Sequence, residues 1–345
     1  MHSLNPNAPP PSPAITSSTQ ATQMARLEAL VEAQNIELEA LRATNKEIEH
    51  TAEYLRVMSH QMRTPLGTIL AAIGLMETGQ QEAISAEECA EYAGFITTAV
   101  RRLDAIAESA CILGCLNAGM FPTHRNHESA GLNPQGEATE KLEHILRAAI
   151  QQARLQEESN RRQGQTQCAA KDRPKPQQQV QVHVQGMVPP LLLTARASGI
   201  VEICLTQLIS NAIKFSMADR SRIQEATQSP QQTHVLATAS LSPSGDHCCI
   251  RIRDHGMGIA EDMGARMFHP FRRGANARGT TGEGMGLYIA RRCAQLLGGT
   301  LEIINFPNPG TPVIPNTPTS PLEAPGSGVL ARLQFPLSGN MAPPV

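Results

Sequence analysis

The chain has 345 residues, 41% of them hydrophobic and 17% charged, which suffices for folded domains. A net charge of −2 gives no overall attraction to nucleic acid or to a membrane surface, and 3% aromatics without tryptophan exclude a stacking platform for single-stranded nucleic acid. No apolar run reaches the roughly 18 to 20 residues of a membrane span; the longest, Leu66 to Met76, is broken by Gly67, Thr68 and Gly74.

Residues 1–20 are rich in Ser, Thr and Pro and lack acids, and they read as a disordered tail. They have neither the basic start nor the apolar stretch of a secretory signal. The expected location is cytoplasmic, or an organelle stroma if the tail is a transit peptide, although the first arginine is Arg26.

From Met24 the pattern changes. With Met24, Val31, Leu38, Asn45, Ala52, Ser59, Leu66 and Ile73 at heptad position a, position d takes Leu27, Gln34, Leu41, Ile48, Leu55, Met62, Ile69 and Met76. Thirteen of these sixteen positions are apolar and the register never breaks, so the segment predicts a long helix packed against partner helices in a dimer. Asn45 at position a fixes register, and Pro65 predicts a kink because it removes a backbone donor. Gly79 is a helix stop. A second helix is expected from about Ser85 to Leu116, with Tyr92, Phe95, Ala99, Leu103, Ile106, Ala110 and Leu113 as its apolar stripe. The two make a hairpin, and two hairpins make a four-helix bundle.

Residues 118–138 read as a linker, and a third helix is expected over about 139–156. The remainder, to residue 338, alternates strand and helix signals. Val180–Val184, Cys248–Arg253 and Leu330–Phe335 read as strands, and Ile200–Phe215 and Gly286–Leu297 as helices. This predicts a helix-on-sheet domain, interrupted by polar insertions near 160–179, 217–233 and 306–327 and followed by a tail at 339–345. The eight cysteines match no metal-ligand spacing: Cys111 and Cys115 lie one helical turn apart, and Cys248 and Cys249 are adjacent. They read as reduced, packed thiols.

Three blocks in this domain suit a nucleotide. In Gln207-Leu-Ile-Ser-Asn211-Ala-Ile-Lys214-Phe215, Asn211 and Lys214 share a helix face, pairing an amide oxygen for a divalent cation with a point charge for phosphate. Asp254-His-Gly256-Met-Gly258-Ile259 follows an apolar strand and offers a carboxylate beside two glycines that let the backbone turn and approach closely. Gly279-Thr-Thr-Gly282-Glu-Gly284-Met-Gly286-Leu287 precedes an amphipathic helix, as a chain does when it presents backbone amides to phosphate. The third block lacks the Lys-Ser/Thr ending of a P-loop, and each block alone is an ordinary helix face, turn or glycine loop.

Their order and spacing resemble the histidine-kinase branch of the ATPases that share an open ATP-binding sandwich with gyrase-, chaperone- and mismatch-repair-type enzymes. Phe268-His-Pro-Phe271-Arg272-Arg273 resembles that family's phenylalanine box, which anchors a mobile lid. Gly298-Gly299 before a strand, and Gly328 leading to Phe335-Pro336, also resemble it. The resemblance covers about residues 50–116 and 139–337. It implies ATP and Mg2+ as cofactors, with Asn211 on the metal, Lys214 on phosphate and Asp254 on adenine. Phe215, Ile259, Phe271, Arg273 and Leu287 would border the nucleotide, and Gly256, Gly258, Gly282, Gly284 and Gly286 would shape the lid. Gln207 stands where the family usually has a further Asn; it keeps an amide for the metal on a longer arm.

Ser59-His60-Gln61-Met62-Arg63-Thr64-Pro65-Leu66 lies inside the heptad helix, with His60 at the solvent-facing b position. The segment resembles the dimerisation and phosphotransfer motif of two-component sensor histidine kinases. The implied fold class is α+β: a signalling coiled coil over 21–50, a dimeric helical hairpin over 51–117, and an α/β sandwich ATP-binding domain over 139–338. The implied activity is phosphorylation of His60 and transfer to an aspartate of a response-regulator receiver domain acting in trans, with an upstream sensor protein as a further partner and no nucleic acid. Gln61 replaces the usual acidic residue; its oxygen can orient the ring but cannot take a proton, which predicts slower autophosphorylation. Thr64 matches the position that serves regulator dephosphorylation. Two alternatives stay open: an ATP-binding scaffold without transfer, and a phosphatase-dominant signalling protein.

Overall fold

A computed structural model of the chain describes residues 13–78, 85–120, 131–132, 138–165, 180–223, 234–260, 263–277, 280, 282–306 and 328–339. The expected stop at Gly79, Gly279 of the glycine block and most of the linker, polar insertions and tails lie outside these residues. The molecule divides into two compact units, 1–60 and 61–345.

In the first unit the heptad pattern forms helix α1 (Pro13–Thr78), which starts at Pro13, inside the stretch read as a tail. Its a and d side chains are open to solvent in the single chain: Leu27 is 57%, Leu41 61% and Ile48 60% exposed. Asn45 donates through Nδ2 to Glu49 Oε1 of its own helix at 2.9 Å. The helix continues through Pro65 to Thr78, so the proline does not end it.

The second unit holds the last turns of α1 and helix α2 (Ala86–Ala118), joined by the Arg102 Nη2 to Gln61 Oε1 hydrogen bond at 3.0 Å. Ser85 starts α2 with a reciprocal capping box: Glu88 N–H donates to Ser85 Oγ at 3.2 Å, and Ser85 N–H donates to Glu88 Oε2 at 3.0 Å. Gly119 ends it in the left-handed conformation, at φ 67°. Of the expected stripe, Ala99, Ile106 and Leu113 are buried together with Leu116, whereas Phe95 remains exposed.

The rest is the expected helix-on-sheet layer, with corrections at its borders. The short strand β1 (Gly131–Leu132) falls in the supposed linker, and β2 (Ala138–Lys141) takes the last linker residue and the first three residues of the expected third helix. Helix α3 (Leu142–Gln165) starts after β2 and runs six residues into the first insertion, where Arg161, Arg162, Gln163 and Gln165 favour continuing a helix. Strands β3 (Gln181–Val184) and β4 (Leu192–Thr194) precede helix α4 (Ala195–Ile223), which overruns the second insertion. Strands β5 (His234–Leu241) and β6 (His247–Arg253), helix α5 (Gly286–Leu296), and strands β7 (Thr300–Phe306) and β8 (Gly328–Pro336) complete the order.

The main sheet has the order β3-β5-β6-β8-β7, with β3 parallel to β5 and the other neighbours antiparallel. β1, β2 and β4 form a separate small antiparallel sheet. α4 packs between α3 and α5 and covers the middle of the main sheet. α4 buries Ile200, Val201, Leu205, Leu208 and Ile209, and the elements it packs against bury Ile145 and Leu146 of α3, Ile289 of α5, Ile250 of β6 and Leu333 of β8. Each such aliphatic side chain contributes roughly 1.5–3 kcal/mol when buried. The polar ends of α4 and α5 and the loops after β6 are thereby left at one margin of the layer.

Candidate functional site

α4 is where the site begins. Gln207, Ser210, Asn211 and Lys214 lie at three- and four-residue spacing, on the edge of the helix that the core leaves uncovered. The Gln207 and Asn211 amides converge under the start of α5: a methyl group added at Gly286 would stand 2.9 Å from Asn211 Nδ2 and 3.2 Å from Gln207 Oε1. One turn on, the Lys214 ammonium reaches the glycine loop, where a Cβ at Gly282 would stand 2.8 Å from Nζ. It also lies 4.9 Å from the Phe215 ring centroid. Burial pulls the Lys214 pKa down to about 8, with Glu157 and Glu283 holding it up and Arg273 opposing them.

Glu157 was not singled out in the sequence. It is a buried acid on α3 that accepts a hydrogen bond from Ser210 Oγ at 2.8 Å, which puts a carboxylate beside the Asn211–Lys214 face.

Asp254 closes the far wall at the end of β6. Its Oδ1 accepts from Gly256 N–H at 2.9 Å and Val329 N–H at 3.2 Å, so the carboxylate of this buried residue is oriented by two backbone amides. Gly256 approaches α4 rather than a ligand: a side chain there would stand 2.8 Å from the Phe215 carbonyl. Gly258 adopts φ 70°. The turn after it is clamped by Asn305 of β7, whose Oδ1 accepts from Ile259 N–H at 2.9 Å while Nδ2 donates to Ile259 O at 2.8 Å.

The lid segment bears the phenylalanine block. Phe268 packs under the Arg291 guanidinium of α5, 4.8 Å from ring centroid to Cζ. Phe271 sits at φ 60°, an uncommon state for an aromatic residue. The Arg273 guanidinium is turned onto the lid itself, donating to the carbonyls of Ala277 and Thr280, each at 2.5 Å. Gly284, at φ 77°, lies so close to the Arg272 backbone that no side chain fits.

All of the nucleotide residues read from the sequence except Gly256 line one cavity of about 1400 Å³. Gln61 and Arg102 line it as well. Arg102 donates through Nε to Glu283 Oε2 and through Nη2 to Gln61 Oε1, each at 3.0 Å. Glu283 and Arg102 lie 181 positions apart, and no local pattern in the sequence pairs them. His60 and Thr64 are exposed on α1.

The donor set suits a divalent cation bound together with phosphates. Asn211 and Gln207 offer neutral amide oxygens, and no group of three or more His, Cys, Asp or Glu among the described residues is placed to hold a metal alone.

Residues 198–338 match the family described as histidine kinase-, DNA gyrase B-, and HSP90-like ATPase. The virulence sensor protein BvgS of Bordetella bronchiseptica is 33% identical over 114 residues, which are 32% of this chain and 8% of that protein. The sensor histidine kinase AruS of Pseudomonas aeruginosa is 31% identical over 101 residues, 29% of this chain and 9% of that protein. Among solved structures, the Acinetobacter baumannii histidine kinase AdeS gives a TM-score of 0.44 at 15% identity, covering 81% of this chain and 98% of that one. The chain thus spans only a small part of the curated relatives it matches. Among the described residues no helix is long and apolar enough to cross a membrane.

Proposed function

We propose, from the premise that this chain carries the ATP-binding domain of the sensor histidine kinases, that it phosphorylates His60 with ATP and passes the phosphoryl group to an aspartate of a separate receiver domain. The observation that supports this reading most is the cavity itself. Asn211, Lys214, Asp254 and the glycine loop line it, and it extends to Gln61, the residue after His60.

Asp254 would accept from the adenine amino group, its orientation fixed by the amides of Gly256 and Val329. Lys214 would hold phosphate oxygens beneath Gly282. Asn211, with Gln207 beside it, would hold Mg2+, which when bound neutralises charge on the phosphates. A neutral His60 nitrogen attacks the γ-phosphorus in line; the N–P bond forms as the bond to the ADP oxygen breaks. The proton on the other ring nitrogen leaves to solvent, because the Gln61 amide accepts a hydrogen bond but takes no proton. The Gln61 oxygen is already shared with Arg102.

The exposed apolar positions of α1 support a homodimer in which two hairpins cover one another. Thr64, exposed one turn after His60, would serve removal of phosphate from the regulator.

Incubation with labelled ATP and Mg2+ tests the central step. The wild type should gain an acid-labile label that His60→Gln lacks. An acid-stable label, or one that persists in the variant, would overturn the mechanism. Nucleotide binding without any label would favour the scaffold reading.

A further inference from the structure

Arg102 joins three elements that are distant in sequence. From α2 its guanidinium spans a 3.0 Å hydrogen bond to Gln61 Oε1 on α1 and a 3.0 Å ion pair to Glu283. Glu283 sits between Gly282 and Gly284, inside the glycine loop, with its side chain only 16% exposed. A second tie lies further along the same helix face, where Arg292 of α5 donates to Asn117 of α2 at 3.4 Å. The loop and the helix it opens are therefore fastened to α2 at two levels. Only the upper fastening reaches on to the residue after His60.

Guanidinium is the group suited to this geometry. Its donors diverge in a fixed plane, so one side chain can serve a carboxylate and an amide oxygen on opposite sides. Partial burial of the acid strengthens the pair relative to a surface contact. Glu283 also acts as a countercharge that favours the Lys214 ammonium, and that attraction does not pass through the Arg102 guanidinium.

We propose that Arg102 is a positioning residue that clamps the glycine loop to the Gln61 turn, so that phosphoryl transfer, but not ATP binding, depends on it. This rests on the reading of His60 as the acceptor. Reaction in line needs donor and acceptor held at near-contact distance, and a misplacement of about 1 Å costs on the order of 10²-fold. The clamp acts on that distance and touches neither reacting group.

The test uses the full-length chain. At saturating ATP and Mg2+, Arg102→Ala should slow His60 labelling about 10- to 100-fold, while its KM for ATP and its affinity for a fluorescent ATP analogue change less than about threefold. Arg102→Lys should fall between the two. Arg102→Glu and Glu283→Arg should each be slow, and the double variant should label faster than either. Hydrogen exchange over 282–290 reads the clamp without any chemistry and should rise in Arg102→Ala. Wild-type labelling rates in Arg102→Ala, a double variant no better than the single variants, or unchanged exchange would each overturn the proposal. A wild type that never labels His60 defeats the acceptor reading instead, and the exchange measurement then still decides the clamp.

Discussion

Lys214 shows how one side chain can carry a pH dependence. Burial makes its charged form costly, and Glu157 and Glu283 only partly offset that, leaving a pKa of about 8 against an ordinary value of 10.5. The sign follows directly. Below about 8 the group is an ammonium and attracts phosphate; above it the group is neutral and does not. Bound phosphates favour the ammonium, so nucleotide binding takes up a proton at alkaline pH. Calorimetric titration with ATP between pH 7 and 9 should show affinity falling as pH rises through 8. Lys214→Gln should bind about 10- to 100-fold more weakly at pH 7, as expected for a lost charge-assisted contact, and its affinity should be nearly flat with pH. A wild-type profile as flat as the variant's would contradict the assignment. At this scale the sequence was informative where chemistry and spacing coincide, as in Asn211, Lys214 and Asp254. It was silent on Glu157, Arg102 and Asn305, because each acts through a contact made only once separate elements pack.

Between elements, the glycines separate into two kinds. Gly256 and Gly328 serve packing: a side chain at Gly256 meets the Phe215 carbonyl, and one at Gly328, where φ is 122°, meets the Asp254 carbonyl. Gly282 and Gly286 instead leave room over the side chains of Lys214, Gln207 and Asn211. Gly256→Ala should therefore act first on stability, by about 1–3 kcal/mol as for other overpacked sites, and thermal unfolding without nucleotide should show it. Unchanged unfolding would mean that the turn after β6 does not seat on α4 as described. The three strands read from their alternation, together with α2 and α5, were legible to within about two residues, whereas α1, α3 and α4 overrun the expected bounds by eight to eleven residues. β5 was not legible, because its inward positions are Val235, Ala237 and Ala239, and alternating alanine and threonine give little hydropathy contrast. β2 and β4 were hidden for another reason: strands of four and three residues are too short to display a period.

For the whole molecule, the long helix is the part whose energetics a single chain leaves unfinished. Leu27, Leu41, Ile48 and Leu55 are all about half exposed or more. Thiols add nothing to this seam: Cys204, Cys248, Cys249 and Cys293 are buried in the second unit, and burial pushes Cys248 up to about 12, far from a reactive thiolate. The heptad register also makes a prediction about phase. Inserting seven residues between Leu38 and Asn45 keeps the a and d seam aligned, whereas inserting four turns the two halves against each other. Labelling of His60 should survive the first insertion and change markedly with the second. Equal labelling in both would mean that the segment before residue 50 does not bear on the acceptor.

α1 is unbroken from Pro13 to Thr78. A continuous helix conveys torque from residue to residue. A partner that twists one end by a fraction of a turn swings every side chain below it through the same angle, the imidazole included. At Pro65, just past that imidazole, the helix lacks one backbone donor, so that turn is the one that resists such a twist least.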